Sequence, residues 1–328
     1  MLRTRRFMNA LLVAAAVALP AAACSDASTG AGGSPTPGAS ASSARAASPT
    51  AGAAPALSEP AREAVRQLEE AGRAMSAVGR YAFTLHLVQK LSGGSAAASV
   101  FEVTNTGKVE RSPLKLDQTI DSVQDGDKST LRAILVPDAY YVYDPSFEEW
   151  GKLPREQAAD IARTLSEYQT DPARALTSAA ALGSGLASAS EGGRVVVSYE
   201  GAGPGALAFL KHILEGTLDL GSLDAEVQDS IRLRSLTASF TLDAASHLPL
   251  AYRVASDMTI EYERGSPSVL SQVFEGTYGK HDATEAIAVP KAALEAPELD
   301  PPIDDPEASE GDIGSLDDLE GLDGLESN

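Results

Sequence analysis

Cysteine is nearly missing from this chain: one residue, Cys24, in 328. That excludes an intrachain disulfide framework and a cysteine-built zinc site, so the folded part must be held by its core. Cations are scarce as well. The 26 Lys and Arg face 46 Asp and Glu, a formal charge of −20. Such a balance argues against nucleic acid as a partner and against direct electrostatic binding to anionic lipid headgroups. The apolar run near the N-terminus, 10–19 (ALLVAAAVAL), is too short to span a bilayer. Catalytic signatures are missing too. There is no G-x-S-x-G elbow, no P-loop and no H-E-x-x-H, and His86, His212, His247 and His281 are scattered.

What is present begins at the N-terminus. Arg3, Arg5 and Arg6 precede the apolar run, Pro20 breaks it, and Ala21, Ala22 and Ala23 lead to Cys24. This is the layout of a secretory signal peptide over 1–23. Its end, LPAAAC, resembles a bacterial lipobox, departing from the pattern at Ala21, where leucine is usual. The resemblance implies that Cys24 receives a diacylglyceryl group and becomes the first mature residue. The other reading is an ordinary cleavage at A-x-A with Cys24 incidental. Lipidation would place the protein outside the cytoplasm, anchored on the outer face of a bacterial cell membrane.

Residues 24–57 are almost wholly Ala, Ser, Gly, Pro and Thr after the cysteine, with no apolar periodicity. Such a segment buries too little to offset its chain entropy and is expected to be a disordered tether. Residues 299–328 are expected to be a disordered acidic tail: 301–328 hold ten Asp or Glu and no Lys or Arg. Within it Ile313, Leu316, Leu319, Leu322 and Leu325 recur every three residues, interrupted by three glycines, a spacing that could serve as a docking motif.

Between these ends, 58–298 is long enough for one α+β domain. A helix is expected over 61–78, capped by Ser58. Tyr81, Phe83, Leu85 and Leu87 then alternate with smaller or polar residues as in a half-buried strand. Phe101 and Val103 alternate next, and Asn105-Thr106-Gly107 is expected to turn the chain. Leu114, Leu116 and Ile120 make another strand, Asp125-Gly126 a hairpin turn, and 139–143 with 149–153 a further hairpin. Helices are expected over 154–168, 172–182 and 204–214, a strand over 194–201, and three long strands at the end. In the strand from Leu250 to Tyr262, even-numbered residues face one way and Arg253, Asp257, Thr259 and Glu261 the other. Short connections favour an antiparallel meander. A broad sheet curls, and its apolar concave face needs helices to cover it.

This arrangement is similar to the LolA/LppX-type superfamily of envelope lipid and lipoprotein carriers. The likeness is carried by YYVYDPSFEEWGKL (140–153), a hairpin with a Trp-x-Lys end, and by TASFTLDAASHLPLAYRVASDMTI (237–260), paired strands with Leu-Pro opening the second. It implies a half-barrel with an apolar cavity between sheet and helices. The residues expected to line it are Phe83, Leu85, Leu87, Phe101, Leu114, Leu116, Phe240, Tyr252, Val254, Met258 and Ile260. Facing them are helices rich in alanine, including Ala158, Ala162, Ala175 and Ala179. Large residues opposite small ones either leave room for acyl chains or pack into a dry core.

Ser112-Pro113-Leu114-Lys115 fits S-x-x-K but opens a strand and lacks its companion motifs. Asp121, Asp125 and Asp127 surround a turn without the glycine and distal glutamate of an EF-hand. No catalytic residue, metal or cofactor is therefore expected. The function expected is a non-enzymatic, membrane-anchored carrier of a lipid. The alternative is an envelope scaffold that binds a protein partner through its loops or acidic tail.

Overall fold

A computed structural model describes residues 57–94, 98–218 and 220–299. The expected signal peptide, Cys24, nearly all of the tether and the acidic repeat lie outside the described residues.

Helix α1 (Glu59–Ser76) is followed by six strands on short turns: β1 (Arg80–Gly93), β2 (Ser99–Arg111), β3 (Leu114–Gln124), β4 (Asp127–Val136), β5 (Ala139–Asp144) and β6 (Glu149–Pro154). Three helices come next, α2 (Arg155–Thr164), α3 (Glu167–Thr170) and α4 (Pro172–Ala180). A hairpin, β7 (Leu186–Glu191) and β8 (Arg194–Gly201), leads to helices α5 (Pro204–Glu215) and α6 (Ala225–Ser230). Strands β9 (Arg232–Asp243), β10 (Pro249–Glu263) and β11 (Ser266–Gly279) follow. A strap over 280–299, with the short helix α7 (Lys291–Leu294), completes the described chain. Among the described residues no helix is long and apolar enough to cross a membrane.

The eleven strands form one open antiparallel sheet, ordered β6-β5-β4-β3-β2-β1-β11-β10-β9-β8-β7. Two meanders thus meet where β1 pairs with β11 from Ala82 to Gly93. Turn chemistry sets several connections. Between β3 and β4, Asp125 and Gly126 both have positive φ, 52° and 101°, as a two-residue primed turn requires.

One face of the sheet is apolar. Odd residues of β1 (Tyr81 to Leu91) and even residues of β10 (Tyr252 to Ile260) point inward. There they join α1, α4 and α5 in one core that reaches Leu153 near one edge and Leu186 at the other. A single core touching both edges of so wide a sheet requires the sheet to curl around the helices. Helix α1 buries Ala61, Ala64, Leu68, Ala71, Gly72 and Met75, one face at helical spacing. Its Gly72 approaches α4 closely: a Cβ there would lie 3.0 Å from the Thr177 hydroxyl and 3.1 Å from the Ala173 carbonyl. Ala175 and Ala179 are fully buried in the same helix. Small residues in α1 and α4 therefore serve close helix packing.

The structure corrects several expectations. No turn occurs at Asn105-Thr106-Gly107: β2 runs straight through to Arg111. Gly107 marks a close backbone approach instead, since a Cβ would fall 2.4 Å from the Asp117 carbonyl. The helix expected over 154–168 is two, broken at Leu165-Ser166, with Ser166 capping α3 through the Tyr168 N–H. Strand β7, helices α6 and α7, and the strap's path across the outer face were not expected from the sequence. The strap builds a second small core there, in which Ile287 and Ala293 pack with Ile134, Ala139 and Tyr141.

Candidate functional site

Nine of the eleven candidate lining residues lie buried on the inner face, and Phe101 and Leu114 are half-buried and pack against them. The strands bring them together by register: Leu87 sits beside Phe274, Phe274 beside Val254, and Val254 beside Ala238. A side chain bordering a water-sized void retains accessible surface. Leu116, Phe240, Met258 and Ile260 retain none, at 0 %. These four are fully covered by their neighbours.

The centre of the inner face is filled by α3. Tyr168 packs on Tyr252 with ring centroids 4.5 Å apart and planes tilted by 42°, and meets Phe274 edge-on at 5.3 Å. The Tyr278 hydroxyl donates to the Tyr168 carbonyl at 2.5 Å, and the Tyr81 hydroxyl to the Gln169 carbonyl at 2.8 Å. The Gln169 amide also donates to Gln118. Burial pushes the phenols of Tyr81, Tyr168, Tyr252 and Tyr278 well above their ordinary range, so they stay neutral donors. On its solvent side α3 is held through Glu167, whose carboxylate lies 2.8 Å from His212 Nε2 on α5 and 3.0 Å from Arg174 Nε on α4. A crevice of about 160 Å³ runs between Arg163–Tyr168 and His212–Gly216, reaching Tyr168 from outside.

Toward one end of the sheet lies a pocket of about 20 Å³, lined by Gln89, Leu91, Ser99, Phe101, Leu218, Tyr262 and Leu270. Gln89 is buried there, donating to Gln272 Oε1 at 3.1 Å, and Gln272 donates to the Thr217 hydroxyl at 3.4 Å. Burial raises the Tyr262 phenol to about 12. Four buried polar atoms of the inner face, Gln89 Oε1, Asn105 Oδ1, Tyr168 OH and Tyr252 OH, have no protein partner among the described residues.

Sequence reasoning missed Gln89, Gln272 and Tyr168. The two glutamines were visible in principle, because each falls in phase with the apolar residues of its strand. Tyr168 was hidden inside a run read as continuous helix.

The other motifs resolve into structure. Lys115 pairs with Glu110 at 2.9 Å, and Ser112 is exposed in the β2–β3 turn. The Asp125 carboxylate accepts from the Ser99 hydroxyl and the Val100 N–H, and Asp121 accepts from Thr130. The histidines stay apart: His86 lies near Glu102 and Glu275, His247 near Glu70. Among the described residues no three His, Cys, Asp or Glu side chains gather to hold a metal.

Solved structures with a similar arrangement include members of the group that the sequence resembles. The lipoprotein LppX of Mycobacterium tuberculosis is 14 % identical, with 70 % of this chain and 100 % of that one covered, at a TM-score of 0.35. LprF of Mycobacterium bovis is 12 % identical over 70 % of this chain and 98 % of its own, at 0.34. A LolA-superfamily protein of Nitrosomonas europaea is 9 % identical over 71 % and 96 %, at 0.21. Values this low say nothing of ligand or partner. No curated protein matches the chain. The model of a family of unknown function, DUF6612, matches residues 64–298, and the chain belongs to that family.

Proposed function

We propose that the protein is a lipid-anchored, extracytoplasmic carrier of an amphiphile, whose apolar chains lodge between the inner face of the sheet and the helices. The observation that supports this most is the set of buried polar atoms without a partner among the described residues, Gln89 Oε1, Asn105 Oδ1, Tyr168 OH and Tyr252 OH, on a mostly apolar inner face. Native cores seldom keep such atoms, because each costs roughly 1–3 kcal/mol. A bound molecule with hydrogen-bonding groups beside its chains would satisfy them. Because Leu116, Phe240, Met258 and Ile260 have no accessible surface, uptake requires helices to move off the sheet. Helix α3 is the natural element to move: it has four residues, is tied to the sheet by three side-chain hydrogen bonds, and borders a crevice open to solvent. The anchor is Cys24, on the lipobox resemblance, and its replacement by serine is expected to move the protein from the membrane to the soluble fraction.

The carrier reading is tested with the purified full chain in two ways. Denaturation and extraction, followed by mass spectrometry, should release lipid. A fluorescent fatty-acyl probe should bind, and Val254→Trp on the inner face should weaken it at least several-fold while the fold persists. Arg253→Trp on the outer face should leave binding unchanged. Absence of both lipid and probe binding would overturn the carrier and leave the scaffold with a protein partner.

A further inference from the structure

The outer face of the sheet carries an ordered row that the inner-face reading leaves unused. Following the register, Thr277 stands beside Thr84, Thr84 beside Thr106 and Thr106 beside Thr119. The row continues through Arg132 and Tyr143 to Trp150. Seven adjacent strands, β11 and β1 to β6, each contribute one residue, at a spacing of about 4.8 Å per strand. The result is four hydroxyls, a guanidinium and two rings in line. The aromatic end is fixed: Tyr143 and Trp150 have centroids 5.2 Å apart, and the Arg132 guanidinium carbon sits 5.8 Å from the Trp150 ring. Asp117 holds the same guanidinium by two hydrogen bonds, 3.0 and 3.1 Å.

The strap forms a wall beside the row from Thr277 to Arg132, through Lys280, Ala283, Thr284 and Glu285, and wall and floor bound a groove of about 1100 Å³, with Tyr143 and Trp150 following on the next two strands beyond its lining. Thr284, only 9 % exposed, lines the wall with a hydroxyl that has no protein partner among the described residues. Lys108 and Lys280 also line the groove and have no ion-pair partner among the described residues. Three cations, Lys108, Arg132 and Lys280, there face two carboxylates, Asp117 and Glu285. The groove is locally cationic in a chain of charge −20.

We propose that this groove binds an unbranched glycan strand bearing carboxylates, laid across the strands. Pyranose rings present hydroxyls at their edges, which exchange hydrogen bonds with the threonine row and Thr284. Their apolar faces stack on Trp150 and Tyr143. Carboxylates on the sugar meet the two unpaired ammonium groups. The competing ligands fit less well. A peptide adding to a sheet runs along an edge strand and uses its backbone groups, whereas this row crosses strand interiors with side chains. An acyl chain finds no continuous apolar floor among threonines. Nucleic acid is repelled by the net charge.

Titration calorimetry on the purified full chain tests this with two probes. One is peptidoglycan glycan released from its peptides by an amidase, with one carboxylate per disaccharide. The other is chitohexaose, which has the same ring and linkage without carboxylates. Trp150 is the single tryptophan, so its emission reads the aromatic platform directly. The carboxylated strands are expected to bind and change that emission, with chitohexaose at least tenfold weaker. Lys108→Gln should reduce this preference, with Lys280 supplying what remains. Thr106→Val, an exposed change that keeps the β-branched shape, should weaken both several-fold without moving the thermal midpoint. No heat and no emission change with either probe would overturn the site, as would both variants binding like wild type. Equal wild-type affinity for the two probes would overturn the carboxylate selectivity.

Discussion

The rings of Tyr168 and Tyr252 meet at 4.5 Å with their planes tilted by 42°, and neither hydroxyl has a protein partner among the described residues although both are buried. The contact joins α3 to β10 and so decides how tightly the helices close on the sheet. Removing a partnerless buried hydroxyl relieves its desolvation, so Tyr252→Phe is expected to leave stability unchanged or raise it by about 1 kcal/mol. Tyr252→Ala, which removes the ring, should cost roughly 3–5 kcal/mol. Denaturant titration of both variants checks this. A loss above about 1 kcal/mol for Tyr252→Phe would mean that the hydroxyl is hydrogen-bonded in solution.

Gly107 supplies a second expectation. Its missing side chain lets β2 lie against β3, where a Cβ would meet the Asp117 carbonyl at 2.4 Å and Gln118 Cβ at 2.8 Å. These are backbone-proximal atoms that cannot swing aside. Gly107→Ala should therefore cost about 1–3 kcal/mol, as overpacking does. Gly279→Ala, with nothing within 4 Å of the added carbon, should cost little. Similar losses at the two sites would show that the sheet has room at Gly107.

Local pattern made much of this fold legible. Period-two alternation in β1 and β10 was enough to assign their faces, and Asp125-Gly126 was enough to place a hairpin, because both depend only on neighbouring residues. Gly107 misled, because a glycine beside Asn and Thr looks like a turn until its cross-strand neighbours are known. Strand β7 (LASASE) escaped for lack of bulky residues. Helix α3 escaped because its boundary is set by Tyr168 and Gln169 being held against the sheet by Tyr278 and Tyr81. The strap was invisible because its ties are remote: Ile287 N–H reaches the Glu110 carboxylate at 2.7 Å, and Asp282 accepts from Gly79 N–H at 2.8 Å. The groove row was unreadable for the same reason, since it exists only once seven strands are in register.

The strap's end covers the edge strand β6. Lys152 N–H donates to the Pro297 carbonyl at 3.0 Å, Leu299 N–H donates to the Lys152 carbonyl at 2.8 Å, and the Leu299 side chain lies over Gly151. Covering an edge removes a template for pairing with other chains. Leu299→Asp is expected to detach 297–299, so that the Lys152 amide exchanges roughly tenfold faster, the loss of about 1.4 kcal/mol of protection. Amides at the β1–β11 seam should keep their rates. Hydrogen exchange read by mass spectrometry decides it, and an unchanged Lys152 rate would show that the strap holds without Leu299.

His281 opens the strap and gives the protein a pH dependence of definite sign. Its Nε2 is buried without a partner among the described residues. Burial disfavours the imidazolium and depresses its pKa below the ordinary value, while Asp282 next to it offsets part of the effect. The folded state therefore binds this proton less readily than the unfolded chain does. The stabilising contribution is complete above the ordinary imidazole pKa, about 6.5, and is lost as pH falls through that value toward the folded one. His281→Gln keeps a polar side chain but cannot be protonated there. Wild type should lose more thermal stability than the variant between pH 7.5 and pH 5, with the difference between them isolating this group from the carboxylates that begin to titrate nearby. Proton NMR titration of the His281 ring should place its midpoint below that of an unfolded control. Parallel pH profiles for wild type and variant would show that the ring is solvated in both protonation states.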